Sequence, residues 1–236
     1  MRLGIFGDSF TNDRKNIDWS WTNQFAEKLG TTAENFGYPA TSLFYSYQQF
    51  LLHKDKFDLI VFVVTEPQRY TRPVTINGVE DFYCNIGDVE NALKKSDIDD
   101  LDKRELEHLF GWYFMQDRDF MITSQDLLLS HMESMHDNII FYPAFCDSFT
   151  VARTGKYGLP YNYSFFDMVC LQTKLLGATT EQISSHKELS TLSNHLAKEF
   201  NDCFANILYN KYRNNSWDLT EIENITLSKP REYYYE

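Results

Sequence analysis

Acyl transfer needs a nucleophile, a base to take its proton and donors for the developing oxyanion. The start of this chain offers the first of these. A short apolar strand, with Leu3, Ile5 and Phe6, runs directly into Gly7-Asp8-Ser9. A serine behind a buried strand, with glycine before it, sits at the carboxyl edge of a sheet. Its Oγ is exposed there, and the N-terminus of the next helix points toward it. Asp8 is expected to cap the following turn and hold the loop, not to act as the base. No metal site is expected, because Cys84, Cys146, Cys170 and Cys203 lie far apart without a Cys-x-x-Cys and read as buried free thiols.

The elements that must position Ser9 follow from periodicity. Residues 2–7 read as the first strand. Residues 19–29 read as a helix, since Trp21, Phe25 and Leu29 recur at i, i+4 and i+8 and Gly30 stops it. Residues 32–36 form a short second strand ending at Asn35-Phe36-Gly37, and residues 42–53 an aromatic-rich helix. Residues 57–64 are a β-branched run that suits a central strand buried on both faces. Residues 138–145 read as a further strand. A long last helix starts near Leu189, with Leu192, Leu196, Phe200, Phe204 and Leu208 on one stripe. Such alternation implies an α/β/α three-layer fold around a parallel sheet.

Residues 70–120 break the rhythm and read as an insertion. Thr75-Ile-Asn-Gly-Val79 is a hairpin signal, because Asn-Gly suits a type I′ turn. The acidic stretch Asp97–Glu107 and the aromatics Phe110, Trp112, Tyr113 and Phe114 follow. This segment reads as a lid, a contact surface or a helical cap on the core. Residues 146–164 read as a long loop. The tail Lys229–Glu236 has no regular pattern, so it is either frayed or packed against a partner.

Composition narrows the function classes. The 236 residues suit one α/β domain, and 43% hydrophobic with 16% aromatic content supports a large core. The net charge of −12 argues against nucleic acid, whose phosphates require a basic surface. No run reaches the ~18–20 apolar residues that a membrane span needs. No signal peptide is expected, since the first residues already form the strand that carries the serine. A cytoplasmic or virion-associated location is the expectation.

The layout resembles the SGNH (GDSL-like) hydrolases, with Gly7-Asp8-Ser9 matching their first block and Ser9 standing where the family has its nucleophile. Asn35-Phe36-Gly37-Tyr-Pro-Ala-Thr-Ser42 is similar to the second block. The resemblance implies that Gly37 offers its backbone N–H to the oxyanion beside that of Ser9. The third block of the family is Gly-x-Asn-Asp, whose Asn is a third donor. Here the strand Leu59–Val64 is followed by Thr65-Glu66-Pro67-Gln68-Arg69, with Glu66 near the place of that Asn. A carboxylate aimed at an oxyanion would repel it. Three resolutions stand: Thr65 donates through its hydroxyl, Glu66 turns away and pairs with Arg69, or the protein is a weak or inactive member. The Thr-Glu-Pro-x-Arg segment looks like a variant of phage-encoded members. Arg69 is either a ligand for a substrate carboxylate or carbonyl or one half of a structural pair.

The family's fourth block is Asp-x-x-His before the last helix. His186 lies where the base is expected, with Ile183 in place of the Asp and with Glu181 and Glu188 as alternative orienting groups. His195 ranks second. His53, His108, His131 and His136 belong to no motif and read as structural.

The resemblance implies one domain over residues 1–236, flavodoxin-like in layout, with an insertion at about 70–120. It implies a serine esterase acting without metal or cofactor on a small ester or an O-acetylated glycan. The aromatics Tyr38, Tyr45, Tyr47 and Tyr70 suit stacking on sugar rings or plain core packing. The alternative is a catalytically degenerate structural or glycan-binding protein of a virion or tail, with self-association or virion components as partners. A flavodoxin-like nucleotide binder fits poorly, because residues 7–12 lack a glycine-rich phosphate loop.

Overall fold

In the six-residue run from Leu59 to Val64 every residue is buried, and it forms the central strand of the protein. The computed structural model describes residues 1–11, 19–69, 74–76, 79–81, 86–95, 98–144, 165, 198–218 and 220. The chain runs β1 (Leu3–Phe6), α1 (Trp21–Lys28), β2 (Ala33–Asn35), α2 (Leu43–His53), a 3-10 turn (Lys54–Lys56) and β3 (Leu59–Val64). Then come β4 (Val74–Ile76), β5 (Val79–Asp81), α3 (Ile86–Leu93), α4 (Asp100–Phe114), α5 (Arg118–Met135), β6 (Ile139–Pro143) and α6 (Lys198–Asn214). The expected long loop at 146–164 and the tail from 229 lie outside the described residues, as do the residues between Leu189 and the start of α6.

The main sheet is four-stranded and parallel, in the order β2-β1-β3-β6. Its strands alternate between two cores. Leu3, Ile5, Leu59, Val61, Val63, Ile140 and Tyr142 face one layer, where Trp21 and Phe25 of α1 meet Phe200, Phe204 and Leu208 of α6. Phe6, Ile60, Phe62, Val64, Ile139 and Phe141 face the other, against Leu43, Tyr47 and Phe50 of α2 and Leu129 and Met132 of α5. This is the expected three-layer α/β/α fold. Burial on both faces is why β1, β3 and β6 read as apolar runs and not as alternations, whereas the edge strand β2 is partly exposed. The β1–β2 and β2–β3 connections run in opposite directions across the sheet. Right-handed crossovers therefore place α1 and α2 on opposite faces and open a crevice between the carboxyl ends of β1 and β3.

Local signals set the element ends. The Ser20 hydroxyl accepts from the Asn23 N–H at the start of α1, and the Ser42 hydroxyl from the Tyr45 N–H at the start of α2. Asp99 and Asp117 cap α4 and α5 in the same way. The expected hairpin is present as two short antiparallel strands, with Val74 paired to Asp81 and Ile76 to Val79, while Asn77 and Gly78 themselves lie outside the described residues. The inserted segment has a small core of its own, built on Val74, Val89, Ala92, Leu106 and Leu109. The insertion expected at about 70–120 thus stops short of α5, which packs in the main α2 layer. No helix among the described residues is long and apolar enough to cross a membrane.

Candidate active site

Phe6 of β1 pairs with Phe62 of β3, so the two strands leave the sheet side by side. Gly7 follows with φ +152°, and a Cβ there would lie 2.7 Å from Thr11 Cγ2 and 2.8 Å from Val63 Cβ. Only glycine lets the chain leave β1 this close to β3. Asp8–Thr11 then closes a turn in which the Thr11 N–H (3.1 Å) and hydroxyl (2.8 Å) both donate to the Asp8 carbonyl. Asp8 Oδ1 accepts the Phe10 N–H at 3.0 Å. The carboxylate is fully buried and turned inward, which is the turn-holding part expected of it. Ser9 is carried on this turn, half-buried, just beyond the carboxyl end of β1.

The second oxygen of Asp8 meets a group that is remote in sequence. Arg69 Nη1 lies 3.2 Å from Asp8 Oδ2, and Arg69 Nε lies 3.8 Å from Glu66 Oε2. Gln68 Nε2 also donates to Glu66 Oε2, at 3.3 Å. Glu66 therefore does face a cation, which is the pairing with Arg69 that one of the three resolutions named. The nearer and more buried partner of Arg69 is nevertheless Asp8, a pairing not anticipated from the sequence. With its side chain 7% exposed and two carboxylates around it, Arg69 is placed as a tie between loops. A substrate carboxylate would have to displace those partners.

Gly37 also departs from expectation. The Phe36 N–H donates to the Ile5 carbonyl (2.8 Å) and the Tyr38 N–H to the Gly7 carbonyl (3.3 Å), so this loop continues alongside the exit of β1. The Gly37 N–H itself donates to Asn35 Oδ1 at 2.8 Å. As folded it is committed to Asn35 and does not stand as a bare oxyanion donor. The Asn35 amide donates in turn to the Thr11 carbonyl. A Cβ on Gly37 would overlap the Thr11 hydroxyl, so glycine is needed here for the contact between the two loops.

Thr65, at the exit of β3, is 1% exposed, and its hydroxyl has no hydrogen-bond partner among the described residues. Its carbonyl accepts from Gln125 Nε2 of α5 at 2.7 Å. His186 and His195 lie outside the described residues, as does Tyr70. His53 stacks on Phe36 (4.4 Å), and His136 bonds the Phe57 carbonyl (3.0 Å) and accepts from the Asn138 N–H (3.2 Å). These contacts fit the structural reading of both. Among the described residues no cluster of His, Cys, Asp or Glu is arranged to hold a metal ion.

Thr11, Asn35 and Gln125 were missed as parts of the site. Asn35 carried a signal, because Asn two residues before Gly invites a side-chain bond to the backbone two residues on. Gln125 carried one too, since it occupies a core position in the buried stripe Ile122, Gln125, Leu129 and Met132 of α5. Comparison of the chain with protein-family models, curated proteins and solved structures finds no match.

Proposed function

We propose that the protein is a serine ester hydrolase of the SGNH type. The observation that carries the reading is the placement of Ser9, on a tight turn at the carboxyl end of β1, beside β3, where an open parallel sheet reverses its strand order. In this mechanism Ser9 Oγ attacks the ester carbonyl and a histidine takes its proton. His186 is the base by its place in the chain, with His195 second. The oxyanion is met by the Ser9 N–H, the Thr65 hydroxyl, and the Gly37 N–H once Asn35 yields it. The alcohol leaves with the proton, and water then attacks the acyl-enzyme by the same route. Small esters and O-acetylated glycans are the proposed substrates. The Tyr38 and Tyr45 rings, 6.0 Å apart with Tyr38 40% exposed, offer an aromatic surface between the Gly37 loop and the first turn of α2.

A second reading is a catalytically degenerate protein of the same fold that binds a glycan or a virion component. The commitment of the Gly37 N–H to Asn35 favours it, because losing one oxyanion donor costs on the order of 10²–10³ in turnover.

The two readings part on serine reactivity. A fluorophosphonate probe should label the wild type and not Ser9→Ala. Hydrolysis of p-nitrophenyl acetate should fall on the order of 10³-fold or more in Ser9→Ala, with unchanged circular dichroism. His186→Ala should fall comparably and His195→Ala little. An unlabelled wild type, or equal rates in wild type and Ser9→Ala, would establish the degenerate reading instead.

A further inference from the structure

The loop Thr65–Arg69 carries every group that β3 contributes to the candidate site. Two glutamines from the helical segment hold its backbone. Gln125 Nε2 donates to the Thr65 carbonyl at 2.7 Å, and Gln116 Nε2 donates to the Gln68 carbonyl at 3.3 Å. Gln125 is 2% exposed, and its Oε1 has no hydrogen-bond partner among the described residues. A leucine would fit this apolar stripe and remove the unpaired Oε1, but it would leave the Thr65 carbonyl without the amide donor. The one thing the amide supplies that leucine would not is the bond to Thr65.

Resting on the ester-hydrolase reading, we infer that Gln125 is a positioning residue. It fixes the Thr65 backbone, and with it the Thr65 hydroxyl that the proposed mechanism takes as an oxyanion donor. Gln116 clamps the far end of the same loop. Neither glutamine touches substrate; both act through the loop. The consequence of a loosened loop is a misplaced donor, which weakens transition-state stabilisation without altering ground-state binding.

The test uses the full chain with Gln125→Leu, and with Gln116→Leu as a second variant should the first not fold. Amide hydrogen exchange at Glu66, Gln68 and Arg69 should accelerate about tenfold or more, while β1 and β3 keep their protection. On p-nitrophenyl acetate, kcat should drop about 10–100-fold with KM little changed. Unchanged exchange in the loop overturns the inference whatever the activity. Faster exchange with unchanged kcat overturns the catalytic part of it. If the wild type does not react with the fluorophosphonate, the hydrolase reading fails by itself, and exchange alone then decides whether the glutamines hold the loop.

Discussion

Thr11 is the residue on which the two glycine loops converge. Its methyl group packs where a Cβ of Gly7 would be, its hydroxyl lies where a Cβ of Gly37 would be, and its carbonyl takes the Asn35 amide. The glycines are therefore required less for turn conformation alone than for this three-way contact, although the +152° φ of Gly7 adds a backbone demand. Gly37→Ala should destabilise the protein by about 1–3 kcal/mol through overpacking against Thr11. Thr11→Ala should relieve part of that cost, so the double variant should be more stable than the sum of the single changes predicts. Urea unfolding of the four proteins measures the coupling. Additive effects would mean that the Gly37 loop moves away from Thr11 with little resistance.

At the scale of elements, the Asp8–Arg69 pair ties the exit of β1 to the exit of β3. Asp8 is wholly buried and Arg69 nearly so, which separates this pair from the exposed ones such as Arg2–Asp58. Removing one partner of a buried pair leaves an uncompensated charge, so Arg69→Ala should cost about 3–5 kcal/mol. Glu66→Gln should cost about 1 kcal/mol or less, since Glu66 is partly exposed and stands farther from the guanidinium. Asp8→Asn combined with Arg69→Met keeps an acceptor for the Phe10 N–H and removes both charges. It should recover much of the loss. Chemical unfolding ranks the variants, and a larger loss from Glu66→Gln than from Arg69→Ala would reverse the assignment of Arg69's main partner.

At the scale of the molecule, the central sheet and the inserted segment have separate apolar cores. Phe62 lies at the centre of the first, touching the rings of Phe6, Phe50 and Phe141. Leu106 is fully buried in the second, with Val74, Val89, Ala92 and Leu109. Phe62→Ala should lower the stability of the whole fold by about 3–5 kcal/mol. Leu106→Ala should instead speed amide exchange in α3 and α4 and leave the protection of β3 unchanged. Equal loss of protection in β3 and α4 would show one cooperative unit. The helix α5 belongs with the sheet on this account, and through Gln125 it is also the element that reaches the candidate site from the far side of β3.

The strand that delivers Ser9, the doubly buried run at β3, the hairpin of β4 and β5 and the three-layer class were all readable in the sequence. Each rests on an interaction between near neighbours in the chain: an apolar period, a glycine needed for a turn, a cap. The inward turn of the Asp8 carboxylate was readable for the same reason, since Asp8 bonds a backbone group two residues on. What the sequence placed at His186 rests on its position before the last helix alone. The tertiary structure decided the rest. It gave Arg69 to Asp8 more closely than to Glu66 and brought Gln125 to Thr65 across 60 residues of chain. No local pattern encodes these pairings. Crossover handedness and the packing of α2 and α5 on one face determine which buried polar groups meet, and each must then find a partner among those the fold has brought near.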